Sequence, residues 1–444
     1  MPRDIGALIY SQPLRPLQWR VLLLCSLTVL LDGYDIQTMA LAVPALAGEW
    51  QLPPSGFGLA LSAALLGIGL GSALIAPLGD RWGRRPLILG GLCLVGLGSI
   101  ASAYAGNLDA LIAMRFATGL GLAASLANAT ALVSEYAPAR RRAALVTLMF
   151  VNVGLGAFLA GFTAPALMAL GGWRGIFFAG GLLPLGLALI LLPALPESVR
   201  LLLARRPGHP AIARLLARLA PGVEAGTVVA EAIVAGQPLR GSLGGLLSHA
   251  YRPRTLLLWS LFCGNLFVLY LLISWLPTLL HQAGWAPAQA LRGAVLIQLG
   301  GIVGGLTIAF MVDKGRTVPA LVCAYGIATC ALAAFLVVPP DPAAWNVLLL
   351  LLGCGVSGTQ FALYALGAAA YPTTIRATGL GWAVAVGRTG AIAGPLAGAF
   401  LLQQQIATAA LLGLLALPLL LCAFAARSIS RLLPFSQPTV PEGK

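Results

Sequence analysis

The chain has 444 residues, 59% of them hydrophobic and only 9% charged, with a mean hydropathy of +0.92. A soluble domain carries about 25% charged residues, so this composition excludes a water-soluble globular protein and points to an integral membrane protein. The net charge of +14, from 27 basic and 13 acidic residues, would suggest nucleic acid in a soluble chain; here the basic residues sit in short loops between apolar runs, where they set topology instead, and no nucleic-acid partner is expected.

Apolar runs long enough to cross a ~30 Å hydrocarbon core occur at about 18–46, 57–79, 86–105, 109–134, 143–170 and 174–193. An Arg-rich polar segment follows, and then runs at about 252–280, 288–312, 317–338, 344–371, 376–402 and 406–427. None alternates as a β-barrel strand does. The expected fold is therefore all-α: twelve transmembrane helices in two pseudo-symmetric halves of six, residues 1–195 and 251–430. A cytoplasmic linker (196–250) joins them and a cytoplasmic tail (431–444) follows. In the linker Ile212, Leu215, Leu216 and Leu219 alternate with Arg214 and Arg218, which predicts amphipathic helices lying on the cytoplasmic face. The first apolar run is too long for a cleavable signal peptide. Arginines crowd the loops that lie inside if the N-terminus is inside, which places both termini in the cytoplasm. The seven cysteines all fall in predicted spans and the three histidines are scattered, so neither disulfides nor a metal site is expected.

The halves echo each other. Gly79-Asp80-Arg81-Trp82-Gly83-Arg84-Arg85 follows span 2, and Asp313-Lys314-Gly315-Arg316 follows span 8. Tyr136-Ala137-Pro138 precedes span 5, and Tyr371-Pro372 precedes span 11. Repeated halves about a central linker are a mark of rocking-type transporters.

Span 1 carries Asp32 and Asp35, three residues apart and so on nearly one helix face. Asp32 lies roughly 20 Å from the cytoplasmic end of its span. An ionisable group at that depth costs several kcal/mol, roughly 2.5–3.5 on insertion scales, and is kept for a function or a buried partner. Desolvation favours a neutral carboxyl and a nearby guanidinium favours a charged one, so acids between those influences can load and release a proton. Arg388 lies about 18 Å deeper in span 11 than Arg376. Its planar fork suits a carboxylate, either a substrate's or that of Asp32 or Asp35. Arg115 lies in span 4, where it either reaches the outer interface or joins the proton route.

Together these residues resemble the major facilitator superfamily, over nearly the whole chain. Within it the chain is similar to the aromatic acid:proton symporters, through Asp32-Gly33-Tyr34-Asp35, Arg115-Phe116-Ala117-Thr118-Gly119, Ser134-Glu135-Tyr136-Ala137-Pro138, Pro196-Glu197-Ser198 and Tyr371-Pro372-Thr373-Thr374-Ile375-Arg376-Ala377-Thr378-Gly379. It departs from them at Ala123-Ala124-Ser125-Leu126-Ala127-Asn128 and at Gly358-Thr359-Gln360-Phe361.

The resemblance implies proton-driven import of a hydroxybenzoate, protocatechuate, vanillate or benzoate across a bacterial inner membrane, by a monomer surrounded by lipid, with the proton as coupling ion and no cofactor. Asp32, Asp35 and Arg115 would couple the proton. Arg388, with Asp32 and Asp35, would organise the substrate carboxylate. A ring slot would draw on Tyr34, Tyr270, Trp275, Phe361, Tyr364 and Trp382; Asn128, Asn265 and Gln360 could hold a ring hydroxyl or serve only as ties between helices. Gly79, Asp80, Arg81, Gly83, Arg84, Arg85 and Glu135, repeated by Asp313 and Arg316 and joined by Arg376, would form a cytoplasmic gate. Glu197 would cap the linker helix or join that network.

Gly67-Ile68-Gly69-Leu70-Gly71 mimics a dinucleotide fingerprint but lies inside a span, where it reads as close helix packing. No G-x-x-x-x-G-K-[ST] or catalytic constellation is present, so neither direct ATP drive nor an enzyme is expected. An exporter of drugs or aromatics, a sugar or polyol carrier, and an aromatic-acid chemoreceptor remain alternatives.

Overall fold

A computed structural model of the chain describes residues 3–4, 14–138, 141–205, 209–219, 228–229, 243–249, 251–371 and 375–432. The linker beyond 219 is therefore largely outside the described residues, as is Pro372-Thr373-Thr374 of the span 11 signature and the side chain of Phe361.

The described chain is helical apart from two-residue strands, Arg3–Asp4 and Val228–Val229, that pair in parallel. In hydrocarbon every backbone amide and carbonyl must be satisfied within its own segment, and a helix does that. Helix α1 is Pro16–Trp50, α2 Gly58–Leu74, α3 Arg84–Ala103, α4 Leu108–Tyr136 and α5 Arg142–Ala194. Two short helices follow, α6 Val199–Arg205 and α7 Pro210–Leu219. Then come α8 Arg252–Gln282, α9 Pro287–Asp313, α10 Thr317–Ala334, α11 Pro342–Val356, α12 Thr359–Ala370, α13 Arg376–Gln403, α14 Thr408–Leu414 and α15 Ala416–Ser430.

Among the described residues, 10 helices are long and apolar enough to cross a membrane. Two features separate this count from the expected twelve. The 53 residues of α5 cover expected spans 5 and 6, with non-helical backbone at Gly171 and Gly172 between them. A straight helix of that length would reach ~80 Å, far more than one crossing needs. Expected span 10 is divided into α11 and α12 at Ser357-Gly358, where a Cβ at Gly358 would collide with the backbone of α9 at Gly304 and Gly305. Expected span 12 is likewise divided: Pro418, in the first turn of α15, cannot donate to the Leu414 carbonyl.

Helices α1 to α5 pack on one another, and α8 to α15 on one another. Glycine sets the closest approaches: a Cβ at Gly67 of α2 would collide with the Phe116 carbonyl of α4. Helix α7 buries Ile212, Leu216 and Leu219 in the same apolar cluster as Leu17, Val21 and Leu145, so its apolar side meets protein.

The face on which α1 begins and α15 ends is here the terminal face. The two groups of helices meet through α1 on α8, α2 on α13 and α5 on α9. Toward the far face Gly58 of α2 abuts Ala399 of α13, Gly161 of α5 abuts Val295 of α9, and the Ser62 hydroxyl donates to the Ile392 carbonyl at 3.0 Å. Among the described residues this is the only hydrogen bond between the groups, and no ion pair joins them.

Candidate functional site

The two aspartates of α1 differ in their surroundings. Asp35 is fully buried and its carboxylate is engaged on both oxygens. Arg115 of α4 grips it as a fork, Nη1 to Oδ1 at 3.0 Å and Nη2 to Oδ2 at 2.5 Å. The Ser99 hydroxyl of α3 donates to Oδ1 at 2.9 Å. Arg115 is 1% exposed and sits 5.8 Å above the Phe177 ring. It therefore turns inward rather than to the interface. A buried pair survives when geometry and extra hydrogen bonds offset desolvation, as here. Gly33, between the aspartates, is where α5 crosses α1: a Cβ there would run into the Val153 backbone.

Asp32 is 4% exposed, yet its Oδ1 is buried with no hydrogen-bond partner. The charges that act on it are those of Arg388 and Asp35. Arg388 is half-buried, with no hydrogen bond or ion pair among the described residues. Tyr270 of α8 interacts electrostatically with Arg388, Asp32 and Tyr364. Side chains from α1, α8, α12 and α13 thus converge where the helix groups face each other. A free carboxylate oxygen and a free guanidinium fork, close enough to feel each other but not bonded, form a place where an anion can be held and its charge offset.

The remaining ring-slot residues scatter. Tyr34 is buried with its hydroxyl 3.3 Å from Thr163 Oγ1 of α5. Trp275 is fully buried and donates from Nε1 to the Pro395 carbonyl at 2.8 Å, tying α8 to α13. Trp382 lies 6.2 Å from Trp259. It shares a helix face with the exposed Leu396 and Phe400, about 120° round α13 from Arg388. Tyr364 packs edge-on against Phe262 at 5.6 Å and is 42% exposed. Asn128 donates to the Ala124 carbonyl at 2.8 Å and the Ala76 carbonyl at 3.3 Å, near Gly79. That places it under the turn after α2. Asn265 donates to Gln360 Oε1 at 3.0 Å, and the Thr359 hydroxyl lies 2.9 Å from Asn265 Oδ1.

On the terminal face the first half carries a closed polar network. Arg84 pairs with Asp80 and with Glu135, each at 2.9 Å. Glu197 Oε1 accepts the backbone amides of Arg84 at 2.9 Å, Arg85 at 3.3 Å and Ser198 at 2.8 Å. The Ser198 hydroxyl donates to Glu135, the Tyr136 hydroxyl to the Glu197 carbonyl at 2.7 Å, and Arg85 to the Leu192 carbonyl. Gly83 makes the turn with φ 116°, and its missing side chain leaves room for the Glu197 carboxylate. Arg81 is exposed beside this network. The second half also turns at a glycine of positive φ, Gly315 at 74°, but with different hydrogen bonds and one residue nearer its aspartate. Its charges do not bridge: Asp313 and Arg316 are exposed and form no ion pair among the described residues. Lys314 lies 4.1 Å over the Phe310 ring, and Arg376 donates to the Tyr371 carbonyl at 3.4 Å.

Sequence reasoning missed Ser99 and Phe177, and it quoted Thr359 without giving it a partner. Each is an ordinary member of an apolar run, and only the packing of α3, the second part of α5 and α12 brings it to its partner. Glu197 was singled out, but its role as acceptor for the first amides of α3, 113 residues away, had no local signal.

The sequence profile described as the Major Facilitator Superfamily matches residues 25–395. The chain is 38% identical over 430 residues to the 4-hydroxybenzoate transporter of Pseudomonas aeruginosa, covering 92% of this chain and 93% of that protein. It is 36% identical over 427 residues to the gallate transporter of Pseudomonas putida, covering 96% and 94%. Among solved structures it is similar in fold to a D-xylose–proton symporter, with TM-score 0.71 at 20% identity over 94% of this chain and 98% of that one.

Proposed function

The chain belongs to the major facilitator superfamily, and on that footing we propose that it imports an aromatic carboxylate together with a proton by alternating access. It is a multi-pass protein of the bacterial inner membrane. The observation that carries the proposal is the Arg388 guanidinium, without a bonded partner among the described residues, acting electrostatically on Asp32, whose buried Oδ1 has no hydrogen-bond partner, with Tyr270 within reach of both. Relatives of 36–38% identity are transporters of 4-hydroxybenzoate and gallate, both aromatic acids.

In this reading a proton entering from outside neutralises Asp32, and Arg388 is left to grip the substrate carboxylate in two parallel bonds. After the halves rock, the proton leaves to the cytoplasm and the ionised Asp32 competes for Arg388, which releases the acid. The Asp35–Arg115 pair holds α1 to α4 during the stroke and supplies the second half of the coupling. The proton is the coupling ion, no cofactor is needed, and the working unit is a monomer.

Topologically, α5 crosses twice about Gly171-Gly172, and α11 with α12, and α14 with α15, cross once each. That makes twelve crossings in two halves, 1–195 and 251–430, joined by the linker 196–250, with both termini and the tail 431–444 cytoplasmic. The terminal face is then the cytoplasmic one, with the Arg84–Glu135–Glu197 network as part of its gate.

The test is uptake of labelled 4-hydroxybenzoate into proteoliposomes. An inward proton gradient is expected to drive accumulation, and an uncoupler to abolish it. Binding without accumulation would instead mark a receptor, and efflux driven by the gradient an exporter.

A further inference from the structure

We infer that the Gln360 amide reads a hydroxyl on the substrate ring, so that the acids carried are ring-hydroxylated rather than unsubstituted. This rests on the function proposed above. Asn265 of α8 and Thr359 of α12 are both 0% exposed. The Thr359 hydroxyl lies 2.7 Å from the Val356 carbonyl and 2.9 Å from Asn265 Oδ1, and the other end of the Asn265 amide meets Gln360 at 3.0 Å. The two amide ends are nearly indistinguishable by shape, and exchanging both leaves every one of these bonds intact. In either arrangement Asn265 engages one end of the Gln360 amide, and at least one Gln360 N–H has no protein partner among the described residues.

That group is held and aimed. Gln360 is only partly buried, and its neighbour one turn along the same face, Tyr364, is 42% exposed. Tyr364 and Arg388 both act on Tyr270. Tyr270 of α8 thus stands within electrostatic reach of both Arg388 and Tyr364, and Tyr364 lies one turn from the Gln360 amide on α12. A tie that only joined α8 to α12 would need no further donor. Here an amide N–H is left over on a side chain that is only partly buried, to be met by water or by a substrate oxygen. A substrate with a ring hydroxyl satisfies it; a bare ring strips its water and offers nothing, which is how a polar site rejects an analogue lacking the group.

The experiment measures apparent affinities for 4-hydroxybenzoate and for benzoate in proteoliposomes, for the wild type and for Gln360→Leu. The wild type is expected to prefer the hydroxylated acid. Gln360→Leu should lose about tenfold in affinity for it, the worth of one well-made hydrogen bond at the upper end, with benzoate little changed. Retained benzoate uptake shows at once that the variant is folded. If the variant weakens both acids equally, or leaves their ratio as in the wild type, Gln360 is only an interhelical tie and the inference is wrong. If the wild type carries neither acid, the proposed function falls and takes the inference with it.

Discussion

At the scale of single residues, the two acids of α1 divide into one that is fully bonded and one that is not. Removing the guanidinium from the bonded acid leaves a buried charge with only Ser99 beside it. Arg115→Gln should therefore lower stability by ~3–5 kcal/mol, seen as a marked fall in melting temperature of the purified protein. The double change Arg115→Gln, Asp35→Asn removes the stranded charge and should recover most of that loss without recovering transport; a double variant as unstable as the single one would show that the pair is not what holds α1 to α4. At Arg388, replacement by lysine keeps the charge but not the planar fork. A rise of about tenfold in the apparent KM, or more, is expected for substrate uptake, and an unchanged value would remove Arg388 from the carboxylate site. These four charges were legible in the sequence because charges in apolar runs stand out. Their pairing was not, since Asp35 and Arg115 meet only through the packing of α1 on α4, and Ser99 carries no mark in its run. Trp275 and Trp382 show the opposite failure. An aromatic in a span announces itself, but whether it faces a cavity, a neighbouring helix or lipid depends on a rotation that one sequence leaves open.

At the scale of elements, Glu197 acts as the N-terminal acceptor for a helix it does not belong to. The first amides of α3 have no partners within that helix, and a carboxylate at the positive end of the helix dipole satisfies two of them. Glu197→Ala should cost about 1–2 kcal/mol, measured as lost thermal stability, whereas Glu197→Gln, which keeps an acceptor, should lose less. Equal losses would mean that the charge, not the acceptor, matters. The repeat of the chain does not extend to this network: the position matching Glu135 by the Tyr136/Tyr371 offset is Ala370. The second half thus keeps the turn glycine and the cations but lacks the acid that would bind them. Helix existence was readable from apolar length throughout, and the boundary between expected spans 5 and 6 falls at two glycines. The division of α11 from α12 was hidden: no proline marks it, and it falls where Gly358 lets the chain lie close against the backbone of α9.

For the whole molecule, an even number of crossings puts both termini on one side. Reporter fusions at the N-terminus and after residue 432 should both report the cytoplasm, and a split result would overturn the twelve-crossing arrangement. The overall architecture was the most legible part of the chain. Hydrocarbon permits few solutions, so long apolar runs and basic loops constrain the fold more tightly than any pattern does in a water-soluble protein. The interior of the linker helix α7 was legible as amphipathic, but its docking on the first half, rather than on lipid, follows from the apolar cluster that Leu17, Val21 and Leu145 leave open to it.

The far-face seam, with Gly58 on Ala399, Gly161 on Val295 and one hydrogen bond from Ser62, also has a thermal consequence. A closure held by small apolar surfaces is driven largely by solvent entropy, and its strength declines on cooling. Opening such a seam to water raises the heat capacity. The conformer open to the far side should therefore gain population in the cold, and a single cysteine placed at Ser62 should be labelled from that side by a larger fraction of molecules at 5 °C than at 30 °C (roughly the range over which apolar association changes most).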